Sequence, residues 1–347
     1  MGMHTASNHF RDVFHAFDLY PKATDAVCIV GATPRIRIDG DLVDLKLPIV
    51  TVETMDGFFG SLPEKHREVY LKDKSADLSY EDQDMRFRLN IAMQRGTCAL
   101  YIRRISSEIP KLAERFKNDA ATMESLLKKR QSFIVISGPS GAGKTTTLAV
   151  CVNYIKEVMR YNIVSIEDPI EFLHRASSSI VSQREVGQDV NTFYEGIKQA
   201  LRQTSDVVVV GEMRDKESLA AALGGAETGR LLLTTVHAYS VQDTISRMVG
   251  LADKDNEDGA RRRIADALSC VISQRLVLAN GEKQLVYEMV IIGPAERNLI
   301  RQGEEKSMNT QINLQRQPTL GEKLKRMLDK NIITKEEYDS QVAVDIK

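Results

Sequence analysis

Short, unbroken runs of apolar residues recur along the chain with helix-length stretches between them. Phe133-Ile-Val-Ile-Ser137, Asn162-Ile-Val-Ser-Ile166, Asp206-Val-Val-Val-Val210 and Leu231-Leu-Leu-Thr-Thr235 do not alternate with polar residues. A strand of that kind is buried on both faces, as in a parallel sheet covered by helices. Lys144 to Met159 supplies one such helix. The N-terminal third reads differently. Arg35-Ile-Arg-Ile-Asp39 alternates, and Gly40-Asp41 turns the chain. Met85-Arg-Phe-Arg-Leu-Asn-Ile-Ala92 alternates again and is joined to Cys98-Ala-Leu-Tyr-Ile-Arg103 through Gln94-Arg95-Gly96-Thr97, which predicts a hairpin. The pattern therefore predicts an N-terminal α+β domain over residues 1–108 and an α/β domain over 109–347, divided near Pro110. A charged stretch from Ser106 to Arg130 and the chain from Thr310 onward carry helical spacing.

Composition narrows the class. A chain of 347 residues with 42% hydrophobic residues can bury a core without disulfide or metal staples. Lys plus Arg number 47 and Asp plus Glu 48, so the basic footprint of a nucleic-acid binder is absent. Cys28, Cys98, Cys151 and Cys270 are dispersed, with no C-x-x-C zinc pair, which suits buried thiols in a reducing, cytoplasmic compartment. No run approaches the ~18 apolar residues of a membrane span, and the first 20 residues lack the apolar core of a signal peptide. Direct membrane insertion is not expected; any membrane association would run through partners.

The strongest chemical signal is a phosphate loop. Gly138, Pro139, Ser140, Gly141, Ala142, Gly143, Lys144 and Thr145 match G-x-x-x-x-G-K-[ST], with Thr146 next, between a predicted strand and a predicted helix. The glycines turn the backbone N–H groups toward phosphates, Lys144 reaches the β- and γ-phosphates, and the Thr145 hydroxyl suits Mg²⁺. The helix presents its positive end to the same anion.

Two later strands end in acids. Asn162 to Ile166 leads into Glu167-Asp168-Pro169-Ile170-Glu171, and Asp206 to Val210 leads into Gly211-Glu212-Met213-Arg214-Asp215. Ligands of such sheets sit beyond the carboxyl ends of the strands. ATP hydrolysis needs one carboxylate to position water and another to hold Mg²⁺, directly or through water. Glu167 and Glu212 are the candidates. His237 follows a core strand of the same sheet and is placed to hydrogen-bond near a γ-phosphate. Arginines supplied across an interface can stabilise charge on that phosphate. Arg86, Arg88, Arg103, Arg104, Arg202, Arg214 and Arg275 are open to that role or to ordinary ion pairing. Arg261-Arg-Arg263 reads as a solvated helix face or an inter-subunit contact.

Together with Ser182-Gln-Arg-Glu-Val-Gly187, Ala226-Glu-Thr-Gly229 and Ile272-Ser-Gln-Arg-Leu276, these motifs occur in an order that resembles the secretion and type IV pilus ATPases. The short retraction type, called PilT or PilU, is the nearest in pattern. The resemblance implies an N-terminal PAS-like domain, a C-terminal RecA-like P-loop ATPase domain and a homohexamer that binds ATP with Mg between domains and subunits. It also implies pilus retraction, through an inner-membrane pilus platform protein and with a second retraction ATPase as an optional partner. Glu167, Asp168 and Glu171 then fall in an Asp box whose first member is the catalytic glutamate. Glu212 falls in Walker B, and His237 is the second histidine of a His box. Arg88 and Arg103 match arginines that approach nucleotide phosphates. Ala295-Glu-Arg-Asn-Leu-Ile-Arg301 resembles a segment of the retraction type.

This chain departs from the pattern at several points. Arg230 replaces the first His-box histidine, Thr204-Ser205-Asp206 replaces D-P-D, Glu296 replaces an isoleucine and Thr24-Asp-Ala-Val27 replaces S-D-L-H. A related ATPase of a type II/IV secretion or conjugation system is the main alternative. A nucleic-acid translocase fits poorly with the near-neutral charge and 6% aromatics. A binder without turnover would not need both Glu167 and Glu212.

Overall fold

A computed structural model describes residues 3–82, 85–105, 108–252, 256–308 and 318–343. The chain divides into two compact units, Met1–Glu108 with Glu171–Leu173, and Ile109–Ile170 with His174–Lys347.

The first unit begins with α1 (Met3–Leu19), β1 (Ala23–Ile29), β2 (Arg35–Ile38) and β3 (Asp41–Asp44). It continues with α2 (Val52–Ser61), α3 (Glu64–Asp73), β4 (Ser75–Asp82), β5 (Met85–Gln94) and β6 (Thr97–Ile105). The sheet is antiparallel in the order β3-β2-β1-β6-β5-β4. Alternation sorts its side chains. Phe87, Leu89 and Ile91 of β5 and Leu100 and Ile102 of β6 pack with Phe10, Phe14 and Phe17 of α1. The intervening Arg88, Asn90, Tyr101 and Arg103 take the opposite face, as a period of two requires. The expected hairpin is present, with Gln94 opposite Thr97 across Arg95-Gly96.

The second unit opens with α4 (Leu112–Phe116) and α5 (Ala120–Leu127). The helical stretch expected from Ser106 to Arg130 is therefore broken, at Lys117, which adopts φ 47°; Ser106 itself lies outside the described residues. There follow β7 (Ser132–Ser137), α6 (Lys144–Val158), β8 (Asn162–Glu167), β9 (Ile180–Glu185), α7 (Phe193–Ala200) and β10 (Val207–Val210). Next come α8 (Lys216–Glu227), β11 (Leu231–Val236), α9 (Val241–Gly250) and α10 (Glu257–Ala267). The unit ends with β12 (Leu268–Ala279), β13 (Glu282–Ile291), α11 (Pro294–Gln302), α12 (Leu320–Asp329) and α13 (Lys335–Ala343). Residues 310–317 and 344–347 of the expected C-terminal helical region lie outside the described residues.

The sheet runs β13-β12-β7-β11-β10-β8-β9, parallel except for β13. Its apolar runs are unbroken because helices cover both faces. Phe133, Val135, Val164, Ile166, Val208, Val210 and Leu232 enter one core, whereas Ile134, Ile136, Ile163, Val207, Val209, Leu231 and Leu233 enter the other. The β12–β13 hairpin was not foreseen, because Ser273-Gln274-Arg275 interrupts its apolar run. All four cysteines are buried free thiols. Among the described residues no helix is long and apolar enough to cross a membrane.

Candidate active site

The phosphate loop links β7 to α6, and Gly143 caps the helix at φ 76°. The close approach of β12 explains another glycine: a Cβ on Gly138 would lie 2.4 Å from the Gln274 carbonyl oxygen. Lys144 is buried, and its Nζ donates to the Gly138 carbonyl at 2.8 Å and the Pro139 carbonyl at 2.9 Å. Thr145 and Thr146, both half-buried, form the first turn of α6. Helix α6 points its N-terminal dipole at the loop, a ready anion site.

The ends of the neighbouring strands converge there. His237 follows β11, with Nδ1 3.4 Å from Lys144 Nζ and Nε2 3.5 Å from Glu212 Oε1. An ammonium can only donate, so Nδ1 accepts and Nε2 carries the proton toward Glu212. Burial, reinforced by Lys144, outweighs the Glu212 charge and holds the His237 pKa below the ordinary imidazole value. Glu212 follows β10 and pairs with Arg214 at 2.7 Å, and Arg214 lies 3.6 Å from Asp168. The Glu212 hydrogen bond raises the Arg214 pKa. Glu167 ends β8. Its Oε1 accepts from Ser165 Oγ at 2.7 Å and from Gln183 Nε2 at 3.0 Å. Lys144, His237, Glu212, Arg214 and Asp168 thus form one chain of polar contacts. Glu167 lies beside it, with its Cα 3.3 Å from the Cβ position of Gly211.

The remaining candidates fall elsewhere. Glu171 belongs to the segment grouped with the first unit. Arg88 and Arg103 are directly cross-strand on the open face of the first unit's sheet. They line a groove with Arg37, Asn90 and Asp25. Arg103 Nε donates to Asp25 at 2.8 Å. Partial burial pushes the Asp25 carboxyl up, but the Arg103 hydrogen bond and charge prevail and its pKa is lowered. Of the two roles left open for Arg275, its placement fits an internal one. It is 1% exposed and donates to the Tyr239 and Gln341 carbonyls, because β12 is covered by α13 and the loop after β11. Arg261 is likewise no solvated side chain, being paired with Glu257 and the buried Glu305. Arg230, at the His-box departure, ties the ends of α7 and α8 together through the Leu201 carbonyl and Thr228 Oγ1.

Several residues at the site were not singled out by the sequence. Ser165, Gln183 and Gln274 lie inside quoted motifs, and their polarity amid apolar strand residues was the available signal. Arg115, which donates to the Gly143 carbonyl at 2.8 Å, carried no such signal.

Comparison with known proteins identifies relatives of the chain and of its fold. Residues 72–282 match the family described as type II/IV secretion system protein. The chain is 34% identical over 287 residues to the twitching motility protein of Neisseria gonorrhoeae, covering 81% of this chain and 76% of that one. It is 33% identical over 328 residues to the type IV pilus retraction ATPase PilT of Pseudomonas aeruginosa, covering 92% and 94%. A crystal structure of the pilus retraction motor PilT with bound ADP superposes with a TM-score of 0.85 at 34% identity, over 94% of this chain and 96% of that one. The ATPase DotB of Legionella pneumophila, at a TM-score of 0.84 and 24% identity over 97% and 96%, shares the fold.

Proposed function

The chain belongs to the type II/IV secretion system protein family, and on that premise we propose that it is a motor ATPase that couples ATP hydrolysis to type IV pilus retraction. The observation that carries this reading is the convergence of Lys144, His237 and Glu212 at the carboxyl ends of parallel strands, beside the phosphate loop. Its similarity to retraction and twitching proteins over most of its length supports the biological role.

In this reading Lys144 exchanges the Gly138 and Pro139 carbonyls for the nucleotide's phosphate oxygens. Backbone N–H groups of the loop hold the β-phosphate. The Thr145 hydroxyl and the Glu212 carboxylate, the latter directly or through water, fit Mg²⁺, which takes one or two protein oxygens and fills its other positions with phosphate and water. Mg²⁺ bound there would neutralise charge developing on the transferred phosphoryl group. Glu167 orients the attacking water at its carboxylate and receives its proton. His237 donates from Nε2 and senses whether the γ-phosphate is present. Arg88 and Arg103 of one subunit complete the site of the next within a homohexamer. The ring would transmit its motion to an inner-membrane pilus platform protein, with a second retraction ATPase as a further partner. No nucleic acid enters the cycle, and association with the inner membrane is peripheral.

The test has two arms. Purified full-length protein should release phosphate from ATP in the presence of Mg²⁺, and Lys144→Ala should reduce the rate by at least about 100-fold. Pilus retraction in a strain lacking this protein should return with the wild-type chain and not with Lys144→Ala. Wild-type turnover by Lys144→Ala would end the assignment of the site. Normal retraction without the protein would end the assignment of the role.

A further inference from the structure

Beneath the phosphate loop lies a polar network outside the catalytic constellation. Arg115 of α4 donates from Nε to Thr147 Oγ1 at 2.9 Å, and from Nη2 to Thr147 Oγ1 at 2.7 Å and the Gly143 carbonyl at 2.8 Å. Thr147 is fully buried in α6, and its Oγ1 lies 2.7 Å from Gln274 Oε1. Gln274, also fully buried, donates from Nε2 to the Ala142 carbonyl at 2.6 Å. Among the described residues no carboxylate is hydrogen-bonded or ion-paired to Arg115, so neutralising another charge does not explain its place there.

The proton order of this network follows from Arg115. Its two donors occupy both lone pairs of the Thr147 hydroxyl, whose proton has two acceptors in reach, Gln274 Oε1 at 2.7 Å and the Gly143 carbonyl at 3.2 Å, and goes to the nearer. That contact turns the Gln274 amide so that Nε2 faces Ala142. The carbonyls of Ala142 and Gly143 are therefore both held from outside the loop. In a planar trans peptide the C=O and the following N–H point in opposite directions. Holding these two carbonyls against Gln274 and Arg115 aims the N–H groups of Gly143 and Lys144 the other way, into the anion site. Gly143 itself reflects the approach: a Cβ there would lie 2.9 Å from Arg115 Nη2. The guanidinium also places a fixed positive charge one peptide from that site.

We propose that Arg115, acting directly on Gly143 and through Thr147 and Gln274 on Ala142, is a positioning residue that aims the loop's N–H donors at the β-phosphate of a nucleoside di- or triphosphate. The inference rests on the reading of the loop as a nucleotide site. It requires that loss of Arg115 weaken ADP and ATP together, since both carry the β-phosphate.

The experiment measures binding of a fluorescent ADP to the full-length protein, with KM and kcat for ATP and the apo-protein melting temperature beside it. Arg115→Met should raise the ADP Kd and the KM for ATP on the order of tenfold, with a smaller fall in kcat. Arg115→Lys should recover only part of this, because an ammonium lacks the fork that reaches both acceptors. Thr147→Val, close in shape but without the hydroxyl, should raise the Kd severalfold. It carries the test by itself should Arg115→Met not fold. Wild-type Kd and KM in these variants, with only the melting temperature lowered, would show a purely structural brace and overturn the proposal. Lys144→Ala separates the two claims. If the wild type binds ADP and Lys144→Ala does not, wild-type binding by Arg115→Met and Thr147→Val defeats this inference alone. If the wild type does not bind ADP, the nucleotide reading fails and this inference fails with it.

Discussion

Two neighbouring strands of the parallel sheet, β8 and β10, are paired with Ile166 opposite Val210, and each leads to a glutamate, Glu167 one residue and Glu212 two residues beyond that pair. The two are held in different ways. Glu167 accepts from Ser165 of its own strand and from Gln183 of β9, residues that are themselves paired in register. These two donors are neutral and orient the carboxylate, which suits the proposed role of taking a proton from water. Glu212 is paired with the Arg214 guanidinium and faces His237, which in turn touches Lys144. Its charge is part of an electrostatic chain ending at the phosphate loop, which suits a group concerned with the metal and the phosphates. The contrast arises from different sources: β9 supplies an amide to Glu167, whereas Glu212 meets Arg214 of its own loop and the imidazole that follows β11. Glutamates one and two residues beyond the same strand pair thus acquire different surroundings from what lies next to them.

The sharpest way to break this comparison is to neutralise each glutamate without changing its shape. Glu167→Gln should lower kcat by about 100-fold or more while nucleotide binding stays within a few-fold of wild type. Glu212→Gln should lower kcat and also raise the Mg²⁺ concentration needed for half-maximal rate. Steady-state phosphate release, titrated separately with ATP and Mg²⁺, reads both. Matching profiles for the two variants would erase the distinction drawn from their partners.

A smaller effect is expected from the groups that hold them. Gln183→Leu should cost about tenfold in kcat, because Glu167 loses a donor that fixes its direction. Arg214→Gln should cost less than about threefold and lose most of that difference in high salt. Arg214 is 54% exposed, and exposed ion pairs are weak and screened. A larger loss for Arg214→Gln than for Gln183→Leu, in phosphate release at low and high salt, would invert the ranking.

How much of this was legible depended on whether a signal was local. The strands β7, β8, β10 and β11 announced themselves because a strand buried on both faces must be apolar throughout, and the loop after β7 is defined by sequence spacing. The strand β12 was hidden by Ser273, Gln274 and Arg275. They are buried because each finds a polar partner at a distant position, which no local pattern records. The contact between Glu167 and Gln183 needs the register of β8 on β9, set by three-dimensional pairing. Arg115 is one charged residue among Glu114, Lys117 and Lys111. Only the packing of α4 against α6 distinguishes it from a solvated side chain. The same ambiguity left Arg261 and Arg275 open, since each has a partner far along the chain, 44 and 66 residues away.

The smallest expected effect on turnover concerns His174, and it tests whether the two strand ends also answer differently to pH. The His174 backbone N–H donates to Gln183 Oε1 at 2.8 Å, so this histidine stands on the Glu167 side, as His237 stands on the Glu212 side. Its Nδ1 is buried without a hydrogen-bond partner among the described residues. Burial, with a further contribution from Lys156, lowers its pKa to about 4. The unfolded chain titrates near the ordinary value of about 6.5. As pH falls below that value the unfolded state takes up a proton that the folded state refuses, so stability declines until about pH 4. Above about pH 6.5 this group leaves stability flat. The loss across the whole window is at most roughly 3 kcal/mol. Between about pH 7.5 and about pH 5.5, His174→Gln should therefore lose less stability than the wild type in urea melts, by about 1 kcal/mol, with turnover at the higher pH unchanged within twofold. An identical pH slope in wild type and variant would show that His174 is protonated freely in the folded protein. The orientation of Gln183 would then owe nothing to a neutral, buried neighbour.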